Sequence, residues 1–209
     1  MAKVIAVNYN FTPDWIPLFT SDYLIFDRSD SPDYTRNLDP NKVVKTANVG
    51  NVDLDKLHYL VDNYDNLPET FLWIKTNLFK YITEEEFNQL KDRKEFTPLL
   101  TQNHLCYTDE QGWVNYYEDG IYHERNNSWY LNIVPPKYVE TFDDWAKIHG
   151  LPQGLAYIPF APGGNFILTR EDVHRYSRDY YENMASMLDW TQTPGEAQCA
   201  ERSYYLMWR

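Results

Sequence analysis

Apolar and polar positions set out the elements before any chemistry is considered. The stretch "KVIAVNYNF" alternates and is rich in β-formers, which predicts a buried first strand from Lys3 to about Asn8. After a Pro-punctuated stretch, "DYLIFDRSD" predicts a second strand ending at Asp27. "SDSPDYTRNLDPNK" has no period and reads as loop. Leu54, Leu57, Val61 and Tyr64 then recur at helical spacing, and Pro68 closes that helix. "ETFLWIKTNLF" predicts a third apolar strand, and "TEEEFNQL" a helix start, with a Thr cap and acids in its first turn.

The second half is less regular. Residues 96 to about 140 read as short strands and turns among many aromatics, and "TFDDWAKIHG" as a short helix stopped by Gly150. "AYIPFAPGGNFILT" holds two strand pieces around a Pro-Gly-Gly turn. Thr169 caps a helix whose Val173, Tyr176, Tyr180, Met184 and Met187 make one apolar face, and a last helix begins at Pro194. Strands separated by helices, with no repeat or linker, predict a single α/β domain over 1–209, its mostly parallel central sheet flanked by helices.

Charge narrows the function classes. The formal net charge is −12. Gripping a nucleic-acid backbone calls for a basic excess, so no such binding is expected, whereas a local basic cluster can still hold a small anion. No apolar run is long enough for a membrane span, and "MAKVIAVNYNF" lacks a signal-peptide core. Cys106 and Cys199 are the only cysteines, too few for a disulfide framework, which leads to the expectation of a cytoplasmic protein. The five histidines show no metal-ligand spacing, and neither a Walker loop nor Gly-x-Ser-x-Gly occurs. The 18 Tyr, 7 Trp and 10 Phe suit a core first, and sugar or base faces second.

In an open α/β sheet, ligands lie beyond the carboxyl ends of the strands. That rule selects Asn8, Tyr9 and Asn10 after the first strand, Asp27 and Arg28 after the second, and Lys75, Thr76 and Asn77 at the third. An acid after the second strand suits a ribose or base, and Lys75 suits phosphate.

The order of these elements resembles the first half of glycosyltransferases with the GT-A fold. "NVG…YLVDNYDNLPETFLWIK" with the late "FAPGGNFILTRE…YYENM…ER…W" resembles an uncharacterised glycosyltransferase-like family of viral, bacterial and fungal proteins. The resemblance covers most of the chain, thinly from 96 to 140. Its Arg-Glu pair after "NVG" is replaced here by Asn51 and Val52. It implies a nucleotide-sugar-binding half over 1–95 and an acceptor-binding half over 96–209. Many GT-A enzymes also carry Asp-x-Asp after the third strand to hold a divalent metal, where this chain reads "WIKTN". Lysine and asparagine are poor ligands for Mg²⁺ or Mn²⁺. No metal cofactor is therefore expected, with Asp27 and Asp30 as the alternative, a displaced metal site, and Asp143 with Asp144 as a further acid pair. Lys75, Arg170, Arg175 and Arg202 are candidate cations in a metal's place.

The late "PGGNFILTRED" followed by "TPGE" is similar to metal-independent branching N-acetylglucosaminyltransferases, whose helix-start Glu is the base. The resemblance thus implies transfer of a sugar from a nucleotide donor to a hydroxyl acceptor, probing Gly163, Gly164, Asn165 and Arg170 as the acceptor side. Asn8, Tyr9, Asn10, Asp27, Arg28, Lys75, Asn77 and Arg202 are the expected donor side. Two glutamates compete as base. Glu196 completes a Thr193-Pro194-Gly195-Glu196 capping-box pattern and begins the helix. Glu201 falls on an apolar face, where an arginine partner is expected. The rival function is a glycan- or partner-binding module on the same scaffold, without turnover.

Overall fold

The computed structural model describes residues 2–101, 112 and 114–209, so Cys106 and His104 lie outside the described residues. Cys199 is a free, buried thiol. In chain order the elements begin with β1 (Lys3–Asn8), α1 (Trp15–Phe19), β2 (Tyr23–Asp27), β3 (Val43–Lys45) and α2 (Asn51–Asp62). They continue with β4 (Thr70–Lys75), α3 (Glu84–Leu90), β5 (Thr97–Pro98), β6 (Tyr116–Glu118), β7 (Ile121–Arg125) and α4 (Trp129–Ile133). The last are α5 (Phe142–Ile148), β8 (Tyr157–Phe160), β9 (Phe166–Thr169), α6 (Arg170–Val173), α7 (Arg178–Ser186) and α8 (Gly195–Trp208).

The main sheet runs β3-β2-β1-β4-β9-β5, and a second sheet runs β6-β7-β8. β1 pairs in parallel with β2 and β4, and β2 with β3, while β9 is antiparallel to β4 and β5. The sheet is therefore mixed, with three parallel pairings among β1–β4 and two antiparallel ones at β9. β1 and β4 lie at its centre and are covered on their two faces, which is why both read as near-continuous apolar runs.

Side-chain alternation divides the core. Ile5, Phe71, Trp73, Phe166 and Leu168 face one side, together with buried residues of α2, α7 and α8. Val4, Ala6, Leu72, Ile74 and Ile167 face the other, against Ile16 of α1 and Phe87 of α3. On the first side Trp73 packs edge-on to Tyr204 and Trp208, which stack at 5.2 Å. These rings and those of the small sheet account for much of the aromatic content.

Local sequence explains most helix starts. Thr83, Thr141 and Thr169 each close a capping box, with Glu86, Asp144 and Asp172. Two expectations need correction here. The helix starting at Thr169 is not continuous to Met187: Ser177 accepts from the Tyr180 amide and starts α7 afresh, leaving Tyr176 between two helices. At α8 the N-cap is Pro194, which makes no side-chain cap, so the Thr193 capping box does not form. Within the expected loop, Pro32–Thr35 and Pro40–Lys42 make 3-10 turns capped by Ser31 and Asp39, and the second leads into β3.

Candidate functional site

Strands β2 and β3 lie on one side of β1, and β4 lies on the other. The chain thus reverses direction across the sheet at β1 and β4, and a crevice opens beyond their carboxyl ends. It has a volume of about 290 Å³. Tyr9 borders it after β1, Arg28 after β2, and Lys75, Thr76 and Asn77 at the end of β4. The start of α2, at Asn51 and Val52, forms part of the wall.

Of the candidate cations Lys75, Arg170, Arg175 and Arg202, Lys75 borders the cleft. Its Nζ lies 3.3 Å from Glu201 Oε1 on α8, and the same oxygen accepts the Gly163 amide at 2.9 Å. Burial alone would lower the Lys75 pKa, but Glu201, Tyr81 and Asp53 outweigh it and hold the ammonium above its ordinary value. Burial likewise pushes Glu201 up, and Lys75, Arg202 and the Gly163 amide more than reverse it, so Glu201 is ionised below the usual carboxylate range. Gly163 has φ +93°, and a Cβ there would come within 2.7 Å of the Tyr81 ring. Only glycine lets the turn sit against that wall of the cleft.

Behind Lys75 lies a second cation, fully sealed. Lys56 on α2 donates to the Gly164 carbonyl at 2.6 Å, and its Nζ stands 4.5 Å from the Trp73 ring centroid. Asp53, one turn earlier, accepts the Tyr204 hydroxyl at 3.0 Å. Burial is the largest influence on this coupled pair: it raises Asp53 and lowers Lys56, and their mutual attraction opposes both shifts.

Arg28 is held on one edge only. Its Nε donates to the Ala47 carbonyl at 3.1 Å and lies 3.0 Å from Asp55 Oδ2. Its Nη2 is buried with no hydrogen-bond partner. Burial lowers the Arg28 pKa, against the pull of Asp55 and Asp53. Leaving such a donor unpaired costs about 1–3 kcal/mol or more.

Several expected site residues serve the frame rather than the cleft. Asn8 is fully buried, donating to Asp27 and Ser29 and accepting from Thr76 at 2.5 Å. Asp27 accepts from Asn8, the Ser29 amide, Thr35 and Lys45. Burial pushes its pKa up, but these bonds, Lys45 first, leave it below the ordinary value. Asn10 turns to Asp30 through two hydrogen bonds of 2.8 and 3.0 Å. Both Asp27 oxygens are thus engaged within the protein, and Asp30 Oδ2 accepts from Asn10. Asp143 accepts from Asn126 and Gly154, and Asp144 caps its own helix.

The late candidates divide by strand direction. Because β9 is antiparallel to β4, the residues before it reach the carboxyl end of β4, and those after it reach the opposite end. Gly163, Gly164 and Asn165 accordingly lie behind the cleft, with Asn165 Oδ1 accepting the Lys75 amide at 2.7 Å. Arg170 lies at the far end, bonded to the Leu67 carbonyl at 2.7 Å. Arg202 is also away from the cleft: it forms a two-pronged pair with Glu124 at 2.6 and 3.1 Å, its guanidinium 3.7 Å from the Tyr130 ring centroid.

Glu196 is fully buried. Its Oε1 accepts the Lys137 and Tyr138 amides at 2.7 and 2.6 Å, and its Oε2 is enclosed without a partner. The glutamate that begins α8 thus anchors the 137–138 segment and does not border the cleft. Glu201 does adjoin it, through Lys75, and its partner is that lysine and not an arginine.

Sequence reasoning did not select Lys56, Asp53, Asp55 or Tyr81. The signal for the first two was present: Asp53 and Lys56, three residues apart, interrupt a helix otherwise packed with Leu54, Leu57 and Leu60. Among the described residues, no group of three or more His, Cys, Asp and Glu side chains could hold a metal ion, and no helix is long and apolar enough to cross a membrane.

Residues 14–209 match the family described as "Protein of unknown function (DUF3431)", and the chain belongs to that family. Comparison with curated proteins gives no match, and comparison with solved structures gives none.

Proposed function

We propose that this chain is a nucleotide-sugar-dependent glycosyltransferase with a GT-A-like fold, moving a sugar to a hydroxyl acceptor with inversion and without a metal. The observation that carries the reading is the crevice at the reversal between β1 and β4, bordered by Lys75 rather than by an acid pair. In direct displacement, a carboxylate removes the acceptor hydroxyl proton, the oxygen bonds the anomeric carbon, and the bond to the diphosphate breaks. The charge left on the diphosphate needs a nearby cation. Lys75, kept protonated by Glu201, supplies it, and Glu201, in contact with that cleft-lining lysine, serves as base.

A second reading is a binding module that holds a glycan or partner without turnover. It is favoured by the engagement of Glu201 Oε1 with both Lys75 and Gly163, and by the burial of Glu196. A thermal-shift screen of nucleosides, nucleoside diphosphates and their sugars tests the donor site. A true donor at a hundredfold excess over its Kd stabilises the fold by about 2.7 kcal/mol, and the free nucleoside by less. No shift with any nucleotide contradicts the donor site; a shift without release of nucleoside diphosphate favours the binding module.

A further inference from the structure

We infer that Arg28 is the second half of a two-cation clamp in this cleft, and that its ligand carries two linked oxyanions, as a diphosphate does. The inference deepens the donor-site reading and rests on it only in treating the diphosphate as part of a nucleotide. The clamp follows from the placement of the two cations.

Asp27 pairs with Asn8, and Lys75 with Val7, so β1 stands between the two strands that deliver Arg28 and Lys75. Neighbouring strands are about 4.8 Å apart, which separates the two backbones by roughly 10 Å. Both residues line the same cleft. One orthophosphate reaches one cation across such a span, whereas two joined phosphates bridge both.

The two cations are already oriented. Asp55, itself held by the Thr46 hydroxyl at 3.1 Å, keeps Arg28 from turning away, and Glu201 does the same for Lys75. Arg28 borders the cleft with its side chain 1% exposed, and its Nη2 has no partner within the protein. A guanidinium with one edge committed and one donor left over is suited to an oxyanion. Asp55 and Glu201 offset the charge of the pair, so neither cation alone makes a strong anion site. The start of α2 adds its positive end to the same wall. It adds field rather than hydrogen bonds, because the amides of Gly50, Asn51 and Val52 are bonded to Thr191, Gln192 and the Asn51 side chain.

The test is calorimetric titration of the full chain with inorganic pyrophosphate and with orthophosphate, in EDTA. Pyrophosphate is expected to bind at least about tenfold tighter than orthophosphate. Arg28→Gln alone would leave Asp55 buried and unpaired, so it is made in an Asp55→Asn background and compared with Asp55→Asn alone. Loss of Arg28 should then weaken pyrophosphate roughly 10- to 100-fold, the worth of a hydrogen bond between charged groups. Arg28→Lys, which keeps the charge but not the fork, should also lose affinity if the double variant does not fold. Equal pyrophosphate affinity with and without Arg28 overturns the inference, as does equal binding of the two anions or no pyrophosphate binding. Arg28-dependent pyrophosphate binding without turnover of any sugar nucleotide supports the clamp and sinks the transferase. Turnover with Arg28-independent affinity sinks the clamp alone.

Discussion

Lys75 Nζ at the end of β4 lies 3.3 Å from Glu201 Oε1 on α8, joining the cleft's cation to its nearest carboxylate across 126 residues of chain. Each holds the other in its charged form, so the pair is ionised throughout the neutral range. Glu201→Gln removes the base but leaves an oxygen for Lys75 and the Gly163 amide. We expect transfer to fall about 10²–10⁴-fold. Affinity for nucleoside diphosphate should not weaken, since a negative charge beside the anion site has gone. Full transfer activity in this variant would exclude Glu201 as base.

Glu196 is predicted to matter for folding and not for binding. Glu196→Ala orphans the Lys137 and Tyr138 amides that its Oε1 now accepts. The expected loss is about 2–4 kcal/mol, read as a lower urea midpoint with an unchanged slope. Nucleotide affinity of the folded variant should equal that of wild type. An unchanged midpoint would contradict the anchoring role.

His149 predicts a pH dependence of stability. It ends α5 with its ring 4.2 Å from that of Trp145, and its Nε2 is buried without a partner. Burial lowers its pKa from 6.5 to about 4. Below 6.5 the unfolded chain takes up a proton that the folded chain refuses, so stability is lost as pH falls from 6.5 towards about 4. The loss amounts to about 3 kcal/mol for this group. Urea titrations at pH 7 and pH 4.5 should show a shallower decline for His149→Phe than for wild type. Parallel declines would show that His149 contributes nothing to it.

Lys56 gives a prediction about the Gly163–Gly164 turn. Lys56→Met fills similar volume but leaves the Gly164 carbonyl without its 2.6 Å donor and Asp53 without its nearby cation. We expect a cost of about 3–5 kcal/mol, and a smaller one when Asp53→Asn is added, because the uncompensated charge is then removed. Equal losses in the single and double variants would show that Asp53 and Lys56 are not coupled.

The candidate residues found at the cleft are those whose position depends on local pattern. Tyr9, Arg28, Lys75 and Asn77 border the cleft because strand ends are visible in an apolar run. Asn8 and Asp27 obeyed the same rule, but their side chains are consumed by cross-strand bonds that no local pattern reveals. Arg170 lies at the far end of the sheet because of the antiparallel direction of β9, which is not written in its own residues. Arg202 and Glu196 depend on partners far along the chain, Glu124 and the 137–138 amides. Lys56 escaped notice because a lysine among leucines reads as a solvated interruption until α7 and α8 are seen to cover α2.

The central claim is metal-independent sugar transfer from a nucleotide donor bound at Lys75. Its most direct test is release of nucleoside diphosphate from a panel of sugar nucleotides by the full chain in excess EDTA, for wild type and Lys75→Ala. The account predicts release from at least one donor, undiminished by EDTA and reduced about 10²-fold or more by the substitution. No release from any donor, or release that requires Mn²⁺ and is indifferent to Lys75, would contradict it.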